Sequence, residues 1–201
     1  MEKQLIISIG REFGSCGHEI AEIIAKDLNL PLYDRSLLDN IAKEKGFSLE
    51  DLQKYDEKRK RAFVSRSVRG YSNSIPEAVA QVQFDYIREK AASGESFVVV
   101  GRCSDIVLKD YPGLFSVFIL ADKESKMKHV MGKFHLSEEE ALSKMKRHDT
   151  TRKAYHNSYS KISWGDSRGY DLCINSSRLG IDDTVEVIEF YARKKAAKLQ
   201  A

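Results

Sequence analysis

Apolar residues gather in five short runs, and the stretches between them repeat with a different period. Leu5 to Ile9 is a continuous β-rich run that stops at Gly10, the pattern of a strand buried on both faces and closed by a turn. From Gly17 to Leu28 the apolar positions recur at Ile20, Ile23, Ile24 and Leu28, which is helical spacing. The segment 32–63 reads as a short strand at Leu32 and Tyr33 followed by two polar helices, with Ser48 and Asp51 opening the second. VSRSVRGYSNS, after it, is the least patterned part and reads as a loop. Pro76 suits the first turn of a helix running to about Ala92, which SGES breaks. FVVVG at 97–101 is the clearest strand, and after a short helical piece LFSVFILA at 114–121 is another. Asp122 to about Tyr159 is nearly all helix former, interrupted at HLSEEE, where Ser137 followed by Glu140 predicts a new start. YDLCINSS predicts a last strand, and Asp182 to Leu199 a last amphipathic helix. Strands alternating with helices predict a parallel sheet covered on both faces.

Composition narrows this picture. A chain of 201 residues with 42% hydrophobic content can bury one good core, so a single domain is expected. The formal charge is only +3 with both signs interspersed, which does not mark a nucleic-acid binder. Cys16, Cys103 and Cys173 are far apart and form no C-x-x-C pair, so neither a disulfide framework nor a zinc knuckle is indicated, and a reducing cytoplasm fits. No apolar run approaches the roughly 18 residues of a membrane span, and no signal-peptide pattern opens the chain. The expectation is a soluble cytoplasmic protein without a membrane partner. The sequence leaves homo-oligomerisation open.

Candidate chemistry begins in the first turn, GREFGSCGHE. A glycine loop between a strand and a helix exposes unpaired N–H groups at the positive end of the helix dipole, where anions bind. Gly10, Gly14 and Gly17 would let the backbone approach a ligand and adopt positive φ. Such a turn is about as common with no phosphate to hold. The standard phosphate loop, G-x-x-x-x-G-K-[ST], is absent. Aligning GSCGHEIA with G-S-G-K-G-T-V-A puts Gly17 at the lysine and Glu19 at the threonine, which removes the charge that reaches the outer phosphates and a usual magnesium ligand. Arg11 and His18 are the nearby replacements, Arg11 preferred because it stays ionised. Ser15 is the loop's hydroxyl. Glu12 and Glu19 either point away or help to hold a metal.

SIGREFGSCGHEIA, VVVGRCSDIVL, KRHDTTRKAYHNSY and YDLCINSS, in this order and spacing, resemble the cytidylate-kinase-like family, a divergent branch of the P-loop nucleoside monophosphate kinases. The most specific pieces are G-S-x-G-x-E-I and the D-x-x-R-x-x-Y helix followed by Y-D-L. The resemblance implies a P-loop NTPase three-layer α/β fold with a five-stranded parallel sheet. It also implies an acceptor subdomain near 34–92 and a helical lid near 137–165. ATP and Mg2+ are the implied cofactors, with no residue singled out as the magnesium ligand.

Within that frame Gly10, Arg11, Gly14, Ser15, Cys16, Gly17 and His18 would bind the donor phosphates. Arg147 and Arg152 resemble lid arginines, and with Arg11 they would carry the transfer; their bland alternative is a solvated face with Asp149 and Arg152 paired at i, i+3. The G-R-D run of cytidylate kinases reads Gly101-Arg102-Cys103 here, so the arginine is kept and the aspartate is not; Asp105 would have to compensate. Asp34 and Arg35 follow the short second strand and would orient an acceptor phosphate or bind a magnesium-bound water, although an N-cap role for Asp34 is equally good. His148, Arg152, Tyr155 and Tyr159 share one helical face, too polar for a core and suited to meet another surface. Lys58, Arg59, Lys60, Arg61, Arg66 and Arg69 form a basic run that is more often a solvated helix end than an acidic-partner patch. The leading expectation is γ-phosphoryl transfer from ATP to a (d)CMP-like nucleoside monophosphate. The alternatives are an inactive nucleotide- or anion-binding module, and a kinase of a small non-nucleotide metabolite.

Overall fold

The computed structural model describes residues 4–34, 36–37, 41 and 75–198. The two polar helices and the loop expected between 34 and 74, the basic run and Arg35 lie outside the described residues. In chain order the elements are β1 (Ile6–Arg11), α1 (Gly17–Asp27), β2 (Leu32–Tyr33), α2 (Ile75–Ala92), β3 (Phe97–Val100), α3 (Ser104–Val107), β4 (Leu114–Leu120), α4 (Lys123–Phe134), α5 (Glu138–Tyr159), a 3-10 turn (Ser167–Gly169), β5 (Leu172–Asn175) and α6 (Ser176–Lys198).

The five strands form one parallel sheet in the order β2-β3-β1-β4-β5. β1 is central, with Ile6 opposite Phe97 on one side and Leu114 on the other. Because strand side chains alternate between faces, Ile7 and Ile9 pack with Ile20, Ile24, Val98, Val100 and Ile188 beneath α1 and α6. Ile6 packs with Tyr33, Phe97, Val99 and Ile87 of α2 on the opposite face. Both faces are therefore mainly apolar, which is why β3 reads as an unbroken hydrophobic run and β1 and β4 as runs interrupted only by the hydrogen-bonded Ser8 and Ser116. Each fully buried isoleucine contributes roughly 1.5–3 kcal/mol, so β1 alone anchors much of the fold.

Two helix starts follow from local chemistry. Ser137 caps α5 by accepting from the Glu140 N–H, while the Glu140 carboxylate accepts from the Ser137 N–H, a reciprocal capping box. The last helix begins at Ser176 rather than at Asp182, because Ser176 donates to the Ser15 carbonyl and is drawn against the first loop; Gly180, at φ 81, then breaks the helix into two pieces. Among the described residues no helix is long and apolar enough to cross a membrane.

Candidate functional site

The site gathers at the C-terminal ends of β1 and β3, where an open parallel sheet leaves a crevice. The β1–α1 loop carries positive φ at Gly14 (88°) and Cys16 (57°), and not at Gly10 or Gly17 as the sequence suggested. Cys16 makes no side-chain cap to α1, so the first N–H groups of that helix are left for a ligand. Ser15 is buried and donates to the Glu12 carbonyl, shaping the loop from within.

Arg11 is the centre of the arrangement. Its side chain runs across the loop so closely that a Cβ at Gly17 would stand 2.6 Å from Arg11 Cβ, and one at Gly101 would stand 2.5 Å from its Nη1. The lysine of a standard phosphate loop has no room at position 17, because the Arg11 side chain crosses that space. Burial, then the charges of Arg152 and Arg102, push the Arg11 pKa down to about 9. It remains protonated at neutral pH, with two guanidiniums near it whose repulsion the carboxylates of Asp34 and Asp149 offset only in part, and with Nε buried and unpaired. An anion brought to this point would relieve that repulsion.

Arg152 reaches the loop from α5. Its Nη1 donates to the Arg11 carbonyl at 3.1 Å and lies 3.7 Å from Asp149. The guanidinium sits over the Phe13 ring at 5.5 Å, and His148 stacks on the same ring at 4.2 Å. Asp149 accepts from the Phe13 N–H at 2.7 Å. Burial lowers the Arg152 pKa and raises that of Asp149. The polar-aromatic face of α5 thus meets two surfaces: His148 and Arg152 dock on the loop, while Tyr155 and Tyr159 pack with Phe84 of α2 and Cys103. Arg147 is exposed and lines neither cavity described below, so the structure does not bring it to the site.

After β3 the chain makes three consecutive left-handed residues, Gly101 (φ 74), Arg102 (φ 60) and Cys103 (φ 50). Non-glycine residues in this region cost on the order of 1–3 kcal/mol each and gather at functional sites. Arg102 and Asp105 line a cavity of about 60 Å³ with Tyr155, His156, Trp164 and Tyr170. Asp105 is not free: it holds His156 Nε2 at 2.8 Å. Burial opposes charge on His156, but the Asp105 hydrogen bond and carboxylate outweigh it and raise the pKa. Sequence reasoning missed His156, Trp164 and Tyr170, whose only signal is their nearness to the arginine helix and the Y-D-L strand.

A second cavity, of about 270 Å³, is lined by the loop from Arg11 to Glu19 and by His129 and Lys133 of α4. Glu12 pairs with Lys126 at 2.8 Å and Glu19 with Lys133, so both carboxylates are neutralised by α4. Asp34 stands at the loop's edge, 3.5 Å from His18, and accepts from the Ser36 N–H and hydroxyl in the capping manner foreseen for it. Arg11 and Arg152 line both cavities.

A five-stranded parallel sheet in this order, with a glycine loop between the central strand and its helix, defines a P-loop α/β fold. The family model described as "Cytidylate kinase-like family" matches residues 6–178, and the chain belongs to that family. A cytidylate kinase of Methanococcus vannielii is 24% identical over 188 residues, covering 92% of this chain and 98% of that protein. An uncharacterised protein from Eubacterium ventriosum has a solved structure with 39% identity and a TM-score of 0.75, covering 94% of this chain and 99% of that one. A shikimate kinase from Bacteroides thetaiotaomicron shares the fold at 12% identity, with a TM-score of 0.53 and coverage of 94% and 98%.

Proposed function

We propose that this chain transfers the γ-phosphoryl group of ATP to a small acceptor, a (d)CMP-like nucleoside monophosphate first among the candidates. The observation that carries the reading is that Arg11 and Arg152 line both cavities. One cavity opens on the phosphate loop and the other on Arg102, so the two guanidiniums stand where a phosphoryl group would cross from donor to acceptor. The loop N–H groups of Gly14 to Glu19 hold the donor phosphates. Arg11 supplies from β1 the charge that a lysine would supply from α1, and Arg152 closes from the lid. Transfer of this kind rests on positioning and charge neutralisation rather than on a strong base.

Magnesium, when bound, would supply positive charge that neutralises the donor phosphates. Glu12 and Glu19 are paired with lysines and Ser15 is turned inward. Asp34 meets no lysine among the described residues but is shared by Ser36 and His18, and it would hold a magnesium-bound water through its carboxylate. On the acceptor side Arg102 orients an anionic group. Since Asp105 is bound to His156, it does not take over unaided the role of the missing aspartate of G-R-D. That observation favours a second reading, an acceptor that is not a cytosine nucleotide.

The test is transfer from γ-labelled ATP with magnesium to CMP, dCMP, UMP, AMP, GMP and a set of small hydroxyl-bearing metabolites, with Arg152→Ala as control. Product with CMP or dCMP, lost in the variant, supports the first reading. Product with a non-nucleotide acceptor supports the second. ATP binding without transfer to any acceptor makes the protein a binding module.

A further inference from the structure

The phosphate-loop cavity of about 270 Å³ is lined in part by three side chains to which the proposed transfer assigns no role, although the loop that carries two of them offers its N–H groups to the donor phosphates. Cys16, just before α1, Glu19 in its first turn and His129 on α4 present a thiol, a carboxylate and an imidazole whose ligand atoms all lie within 4.8 Å of one another. All three side chains are partly exposed and line the cavity. They come from two elements that the sequence separates by more than a hundred positions, so their meeting is a product of the fold.

The spacing is that of ligands on one ion. With Zn–S near 2.3 Å and Zn–N near 2.0–2.1 Å, a tetrahedral site holds its sulfur and nitrogen ~3.5 Å apart. Cys16 Sγ and His129 Nδ1 are 3.5 Å apart. Glu19 Oε1 lies 3.7 Å from the other ring nitrogen, Nε2. One ion takes a single nitrogen of the ring, so Glu19 joins Cys16 and His129 when the carboxylate or the ring turns, within a cluster whose ligand atoms already lie within 4.8 Å of one another. The donor set is selective as well. Sulfur and imidazole suit zinc-like ions and are avoided by magnesium, which takes oxygen and water in octahedral geometry. Glu19 also occupies the place where a standard phosphate loop carries its magnesium-binding hydroxyl.

A cationic group already rests in the cluster. Lys133 is bound to Glu19, and its side chain is 46% exposed, so it can swing into solvent on a flexible four-carbon stem. A divalent ion would replace a mobile monovalent charge with a fixed one.

We propose that Cys16, Glu19 and His129 form a binding site for a thiophilic divalent cation of the zinc class, with a fourth position open to water, that fastens the phosphate loop to α4. An ordinary cysteine thiol, with a pKa of about 8.5, is protonated at neutral pH, so the metal-free cluster holds a neutral S–H. On binding, the sulfur–hydrogen bond breaks, the proton leaves to solvent and the thiolate pair forms the metal bond. No oxidant or reductant is involved. The site is separate from the magnesium of transfer and does not depend on which acceptor the protein uses.

The test uses the full chain, stripped of metal and titrated with Co2+ and then Zn2+. One equivalent of cobalt should bind with a thiolate-to-metal charge-transfer band in the near ultraviolet, which zinc abolishes and excess magnesium does not. Cys16→Ser should remove the band, and His129→Gln should weaken zinc binding ~10-fold or more. Lys133→Met, which releases Glu19 from its competitor, should tighten binding ~10-fold. Circular dichroism of each variant establishes that it is folded, and Lys133→Met tests the site with all three ligands intact. A wild-type protein that gives no band, a band that survives in Cys16→Ser because another thiol makes it, or an affinity unmoved by Lys133→Met would each overturn the proposal.

Discussion

Gly17→Ala probes the claim that Arg11 occupies the room of the missing lysine. The added Cβ would meet Arg11 Cβ at 2.6 Å and Cγ at 3.1 Å. Arg11 Cβ is fixed to the backbone of the central strand and cannot rotate away, so either the strand end or the helix start must move. Overpacking of this kind costs about 1–3 kcal/mol, while replacing glycine by alanine in a helix returns at most about 1 kcal/mol, less at its first residue. The net expectation is a loss of about 1–2 kcal/mol, read as a shift in urea midpoint. In an Arg11→Gly background both Arg11 contacts are gone and, of the three nearest atoms, only Ser15 Oγ at 3.3 Å remains, so the same change should be near neutral. The helix gain is common to both backgrounds and cancels, so the coupling in the four-protein cycle is expected at about 1–3 kcal/mol, the overpacking term alone. The cycle extends to function: Arg11→Gly/Gly17→Lys puts a lysine where a standard phosphate loop carries it, and calorimetry should show it binding ATP more tightly than Arg11→Gly alone. A cost for Gly17→Ala that is the same in both backgrounds would refute the reasoning.

Three further outcomes follow from the geometry. Arg152→Ala should lower kcat by about 10²–10³, as removal of one charge-stabilising donor does, in the labelled-ATP assay; wild-type turnover would exclude Arg152 from the transfer site. The raised pKa of His156 means that its pair with Asp105 contributes fully below the unfolded value of about 6.5 and is lost as pH rises through the higher folded value. Urea midpoints should therefore fall over that interval in the wild type and flatten in His156→Gln, and an equal slope in both proteins would contradict the assignment. Ser137→Ala should cost about 1 kcal/mol by removing half of the α5 capping box, visible as a lower melting temperature; an unchanged one would mean that the box does not hold that helix end.

What the sequence disclosed and what it hid divide along a physical line. β1, β3 and β4 were legible because both faces of each are buried, which leaves runs that are nearly all apolar, and the α5 start was legible because a capping box is local. Loop and lid contacts were not, because an ion pair such as Glu12 with Lys126, 114 positions apart, leaves no period. One exclusion was available all the same. Arg147 and Arg152 are five positions apart, about 140° around a helix at 3.6 residues per turn, so a face that presents Arg152 to the loop turns Arg147 away. With Arg152 facing the loop and Arg147 turned away, the second guanidinium that lines both cavities is that of Arg11, 141 positions earlier in the chain. The pair exists only while α5 is docked on the loop, through His148 on Phe13 and Asp149 on the Phe13 N–H. Both contacts fix α5 where Arg152 reaches the Arg11 carbonyl, so side chains that carry no guanidinium set whether the two charges stand together.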